Sequence, residues 1–193
     1  MASSPKINEG EPVMDNLSKI KNLSNKFYLL LSFLLVAIPL LNIGFWSLIN
    51  YLPETLINVN TTGSAIVPNK LSVQLQVIGF IVSLLPLSAL LYCIMNIRKL
   101  FSFYKDGVIF SFEHVILFKR TATALLLWVI LKIIYDSAVS VIFTFGNPPG
   151  QRLLKVGFSS GEVTALLVGG IIFIIAWVMD EGRILNEEKE LTI

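Results

Sequence analysis

Apolar residues in this chain come in long blocks, not in the short alternations of a soluble domain. No charged side chain occurs between Lys26 and Glu54, between Lys70 and Arg98, or between Glu162 and Asp180. A helix needs about 20 apolar residues to cross a bilayer, within a range of about 17 to 25, and each of these gaps is long enough. A fourth block, Thr121 to Phe145, is equally apolar but carries Lys132 and Asp136 near its middle. The pattern predicts an all-α protein: a bundle of four transmembrane helices over about residues 27–52, 71–97, 121–145 and 162–179. Pro39 and Pro86 fall inside the first two spans and are expected to kink them, since proline removes a helix hydrogen bond. Trp46 and Tyr51 come near the far end of the first span, where aromatic belts form.

The segments between the blocks divide the chain into a polar lead (1–26), a membrane domain (27–179) and a charged tail (180–193). In the lead, Val13, Leu17, Ile20, Leu23 and Phe27 recur at helical spacing beside Lys19, Lys21 and Lys26, which predicts a juxtamembrane amphipathic helix on an anionic surface. Residues 1–12 are expected to be disordered. The length of the polar lead argues against a cleavable signal. Between the first two spans, Leu56 to Asn60 alternates weakly, as a short strand would, and Asn60-Thr61-Thr62 fits the glycosylation acceptor pattern. Asp106-Gly107 signals a turn. Ser111 is then expected to cap a helix running unbroken through the third span, with Glu113 in its first turn. Gly169-Gly170 would admit a neighbouring helix closely, within the chain or in a homo-oligomer.

Lysine and arginine set the expected orientation. Lys6, Lys19, Lys21 and Lys26 in the lead, Arg98, Lys99, Lys105, Lys119 and Arg120 in the middle loop, and Arg183 and Lys189 in the tail stand against only Lys70, Arg152 and Lys155 on the other side. The positive-inside rule then puts both termini in the cytoplasm. The composition agrees, with 54% apolar and only 15% charged residues, where a soluble domain carries about a quarter charged. One cysteine, Cys93, allows no disulfide within the chain, and one histidine, His114, builds no histidine metal site. There is no glycine-rich phosphate loop, no H-E-x-x-H and no C-x-x-C. The expectation is therefore a protein that is not an enzyme, with no catalytic residues, cofactor or metal and no direct nucleic-acid contact; the lipid bilayer is its surroundings.

The charges inside the third span need an explanation. Lys132 and Asp136 are four residues apart and stack on one helix face. Each offsets part of the other's cost, which is roughly 2.5 to 3.5 kcal/mol for a charge at the bilayer centre. Tyr135, Ser137 and Ser140 are close enough along the chain to satisfy remaining groups. The pair is either a structural lock between helices or a polar site for a ligand, proton or ion, as in a small transporter or an immunity protein.

Two stretches carry more than hydropathy. One is Gly107-Val108-Ile109-Phe110-Ser111, followed by Val115 and Lys119-Arg120. The other is Ala176-Trp177-Val178, then Glu181-Gly182-Arg183, Leu185, Glu187-Glu188 and Glu190-Leu191-Thr192-Ile193. Together they resemble a bacterial family of small four-helix inner-membrane proteins catalogued as a domain of unknown function, over about Phe27 to Ile193. That family's pattern favours Asn where this chain has His114. The resemblance implies no activity, but it implies a frequent genetic neighbour, a small helix-turn-helix regulator of the Cro/repressor type. A regulatory or interaction role through the cytoplasmic loop and tail follows as an expectation. Its candidate partner face is Arg98, Lys99, Phe110, Lys119, Arg120, Glu181, Arg183, Glu187 and Glu190; the other expectation is that tail and loop pair with each other and clamp the bundle.

Overall fold

The computed structural model describes residues 11–52, 70–108, 111–148, 150 and 152–190, with side chains described between residues 16 and 184. Four long helices account for nearly all of it: α1 (Glu11–Leu48), α2 (Val73–Asp106), α3 (Phe112–Thr144) and α4 (Ser160–Glu190), with one 3-10 turn at Ile49–Tyr51. All four contain a window long and apolar enough to cross a membrane. No strand occurs among the described residues; the segment Leu56 to Asn60 lies outside them.

The helices hold 38, 34, 33 and 31 residues. At about 1.5 Å per residue they are about 46 to 57 Å long, against a hydrocarbon core of about 30 Å. The amphipathic lead and the first span form one continuous helix, and α4 runs on through the charged tail to Glu190. Pro39 and Pro86 lie within uninterrupted helices. Successive helices are antiparallel and pack in chain order, α1 on α2, α2 on α3 and α3 on α4. The start of α1 and the end of α4 therefore share one end of the array with the α2–α3 turn. That end, which carries most of the Lys and Arg, is called the basic end below.

Interhelix packing is specified by small residues and short polar contacts, because lipid offers no hydrophobic drive between apolar helices. Gly79 of α2 faces the Trp46 ring so closely that a Cβ there would fall 2.1 Å from it. The indole is only 2% exposed and packs with Ile49, Leu71, Val139, Ile142 and Phe143. This corrects the aromatic-belt reading for Trp46, while Tyr51 is 86% exposed. The missing side chain at Gly79 makes the slot that admits the ring. Gly169 does the same for α4, 3.5 Å from Leu125 Cβ and 3.6 Å from the Ala122 carbonyl, whereas Gly170 faces open space. The close approach offered by the glycine pair is thus within the chain at Gly169.

Asparagine supplies the polar contacts. Asn42 donates to Ser83 across α1 and α2 at 2.9 Å. Asn50 clasps the backbone of Leu71, donating to its carbonyl at 2.9 Å and accepting from its N–H at 2.8 Å. At the basic end, α2 stops at Gly107, whose φ of 86° takes the left-handed conformation that favours glycine. Its N–H donates to Tyr104 and that of Val108 to Phe103. Ser111 holds the N-cap position of α3 in extended conformation, but its hydroxyl makes no cap hydrogen bond and pairs with His114 Nδ1 at 2.7 Å. The expected hydroxyl cap is replaced by a serine–histidine contact.

Adding a methyl group at the Trp46 slot should be costly. Gly79→Ala is expected to destabilise the protein in detergent by about 1 to 3 kcal/mol, and Trp46→Leu in the same chain should recover part of that loss. Thermal unfolding followed by circular dichroism checks both; an unchanged Gly79→Ala midpoint would refute the packing described.

Candidate functional site

The intramembrane charges form a triad. On α3, Lys132 and Asp136 make the i,i+4 ion pair. A third member comes from α4: Glu162 Oε1 lies 3.8 Å from Lys132 Nζ. The Glu162 side chain is 4% exposed, against 30% for Lys132 and 36% for Asp136. The first turn of α4 fixes the glutamate. Ser159 and Glu162 form a capping box, in which the carboxylate accepts from the Ser159 N–H at 2.6 Å and from the Ser159 hydroxyl, while that hydroxyl accepts from Gly161 N–H. One carboxylate oxygen caps the helix and the other faces the lysine.

The neighbouring hydroxyls serve the backbone, not the triad. Ser137 donates to the Ile133 carbonyl. Ser140 donates to the Ser137 carbonyl and accepts from Lys155 N–H, and Thr144 accepts from Leu153 N–H. These last two contacts hold the non-helical segment from Arg152 to Ser159 beside α3 before α4 begins. Tyr135 presents its ring 5.8 Å from the Lys132 ammonium.

The triad also lies off centre. A second α3–α4 ion pair, Lys119–Asp180 at 2.7 Å, marks the charged level at the basic end. From Asp180 to Glu162 is about 27 Å of helix, and from Lys119 to Asp136 about 25 Å. The triad therefore sits toward the far boundary of a core about 30 Å thick, where a charge costs less than at the midplane. When ionised, its two carboxylates outnumber its one ammonium and leave one surplus negative charge.

The candidate partner residues separate into two groups. Arg98 turns into α1: its Nε donates to Ser32 at 2.7 Å, its Nη2 donates to the Tyr28 hydroxyl at 2.6 Å, and the guanidinium lies 4.6 Å from the Tyr28 ring centroid. Lys119 and Arg183 both turn toward Asp180, Arg183 at 3.4 Å, with its guanidinium over Phe112 at 4.9 Å. These three hold the helices together. Lys99, Arg120 and Glu181 are exposed at the same end. Phe110 lies outside the described residues; Glu187 and Glu190 lie on the α4 backbone, with side chains outside the described set. His114 is fully buried between the rings of Phe103 and Tyr104, at 5.4 and 5.0 Å, and its Nε2 has no hydrogen-bond partner among the described residues. Reading from the sequence missed Glu162, Tyr28 and Ser32. The S-x-x-E spacing from Ser159 was the available signal for the first; nothing local marks the other two. Among the described residues no three His, Cys, Asp or Glu side chains gather as metal ligands.

Four apolar helices and charges gathered at helix ends and in one embedded triad define a multi-pass membrane protein. The chain belongs to the family described as a protein of unknown function (DUF2975), which matches residues 62–193 and so takes in α2, α3 and α4. No curated protein and no solved structure matches it.

Removing the cation should cost more than removing either anion. Lys132→Met leaves two facing carboxylates unopposed and is expected to lower stability by about 1 to 3 kcal/mol, given the partial exposure of the site. Asp136→Asn keeps the lysine paired with Glu162 and should cost under about 1 kcal/mol. Thermal melts of the two variants give the order, and the reverse order would contradict the triad.

Proposed function

We propose that this protein is a bacterial inner-membrane interaction protein, with both termini in the cytoplasm, whose basic end holds a cytoplasmic partner. The observation that carries this reading is the asymmetry of the helices. At the basic end all four continue past the charged level: α1 by about 22 Å from Lys26 to Glu11, α4 by about 15 Å from Asp180 to Glu190, and α2 and α3 by about 10 Å each. Such projections present a preformed surface, which lowers the ordering cost of binding. Of the candidate partner residues, Lys99, Arg120 and Glu181 are the exposed charges available on it, because Arg98, Lys119 and Arg183 are engaged within the array. The proposed partner is the small helix-turn-helix regulator that the family resemblance implies.

The test is co-purification in mild detergent with the regulator encoded beside it. Wild type is expected to retain the regulator, and Lys99→Glu combined with Arg120→Glu should weaken retention at least tenfold with an unchanged melting midpoint. Equal retention by the double variant would remove the partner face proposed here.

A second reading, a small transporter or immunity protein acting through an intramembrane polar site, draws support from Glu162. A third charge supplied by another helix, leaving a net negative charge, suits a cationic group better than a sealed neutral pair would. Replacing Lys132 by Met, Asp136 by Leu and Glu162 by Gln together distinguishes the two. A stable variant that still retains the regulator and still supports growth in the sensitive background speaks for a structural triad; loss of growth with retention intact speaks for the polar site.

A further inference from the structure

A different part of the basic end is charged without a counter-charge. Arg98 and Lys105 lie two helical turns apart on α2, and both face the Tyr28 ring of α1, with the Lys105 ammonium 4.9 Å and the Arg98 guanidinium 4.6 Å from its centroid. Above them Lys21 of α1 reaches across to the turn at Gly107, where a Cβ would lie 2.7 Å from Lys21 Cε and 2.9 Å from its Nζ. Three cations thus gather around Tyr28 and Gly107 where α1 meets α2. Among the described residues none of them makes an ion pair with a carboxylate, and Asp106, next in sequence to Lys105, pairs with none of them. Like charges held together repel one another unless an anion joins them.

We infer that this groove, formed by Lys21, Tyr28, Arg98 and Lys105, is a binding site for the phosphate of an anionic phospholipid headgroup. Depth selects the lipid. Arg98 is the first charged residue after the apolar run of α2, and Tyr28 stands two residues beyond Lys26, where the apolar run of α1 begins. Both therefore mark the boundary where headgroups start. Lys105 is about 10 Å further out along the helix. Side chains on a helix lean toward its N-terminus, which for Lys105 means back toward Arg98, as its contact with Tyr28 records.

Donor geometry selects phosphate. Arg98 spends two of its five N–H donors on Ser32 and Tyr28, which fixes the guanidinium and leaves the rest of its fork for oxyanions. The Tyr28 hydroxyl accepts from Arg98 and keeps its own proton to donate. Phe27 and Phe101 stack beside the groove, with centroids 5.0 Å apart and planes 13° apart, and hold α1 against α2 at this level. The site is built by α1 and α2 alone. It is separate from the exposed charges proposed for the partner and from the triad at the other boundary.

The experiment uses the full chain in phosphatidylcholine nanodiscs, with and without phosphatidylglycerol, and native mass spectrometry to count lipids retained after release. Wild type is expected to keep phosphatidylglycerol in preference to phosphatidylcholine. Lys105→Gln and Lys21→Gln should each lower that preference about fivefold, from roughly 1 kcal/mol per basic residue at the membrane surface. Both lysines are at least partly exposed, and the Arg98–Tyr28–Ser32 contacts remain in these variants, so folding is checked directly by an unchanged helical spectrum. Equal retention of the two lipids by wild type would overturn the assignment, as would a double variant with undiminished preference. Complete displacement of the lipid by inorganic phosphate in the buffer would also overturn it, by making the site one for a soluble anion.

Discussion

The fourth helix is tied to the third at two levels, and the architecture depends on those ties. Lys119–Asp180 and Lys132–Glu162 are both α3–α4 ion pairs, separated by about 27 Å along α4. Two pins at that spacing fix the register of one helix on the other, and Gly169 lies between them where α4 comes closest to Ala122 and Leu125. A helix pinned this way cannot slide by a turn without stranding a carboxylate in hydrocarbon. The same register makes α4 begin about three turns short of the far end of α3. The chain must therefore return along α3 as the non-helical segment Arg152–Ser159, with Ser140 and Thr144 accepting its N–H groups. An extended backbone near a bilayer needs such partners, because lipid supplies none.

At the first helix pair the tie is different in kind. α1 and α2 have no ion pair between them among the described residues; they are joined by asparagine, serine and tyrosine, and by one ring set into a glycine slot. Arg98 supplies the only cation that hydrogen-bonds across this pair among the described contacts, and it does so to hydroxyls. The consequence is an uneven charge distribution. The α3–α4 half pairs its cations with carboxylates, while Lys21, Arg98 and Lys105 of the α1–α2 half make no ion pair among the described residues, which is why one side suits structural pairing and the other suits a phosphate.

Much of this was legible along the chain. The apolar blocks gave four helices because hydrocarbon thickness sets a minimum apolar length, and a local count reads that directly. Asp106-Gly107 marked its turn because a positive φ is a property of one residue. The pairing of tail with loop, present at Lys119–Asp180, followed from antiparallel spans that end on one side. The candidate sites were less legible. Lys132 and Asp136 announced themselves as an i,i+4 pair, but Glu162, at the edge of another block, read as the start of a span. Trp46 looked like an interfacial aromatic because its burial depends on Gly79, over thirty residues away. Arg98 looked like an available cation because its partners, Tyr28 and Ser32, belong to a different helix.

The linear order of residues thus determined how many times this chain crosses the bilayer and where its helices turn, since those properties come from composition over a single window. Tertiary structure alone decided which charges are spent inside the array and which face outward. That choice depends on interhelix register, and register is set by contacts between residues far apart in sequence, where one missing side chain or one carboxylate selects among pairings that hydropathy leaves equal.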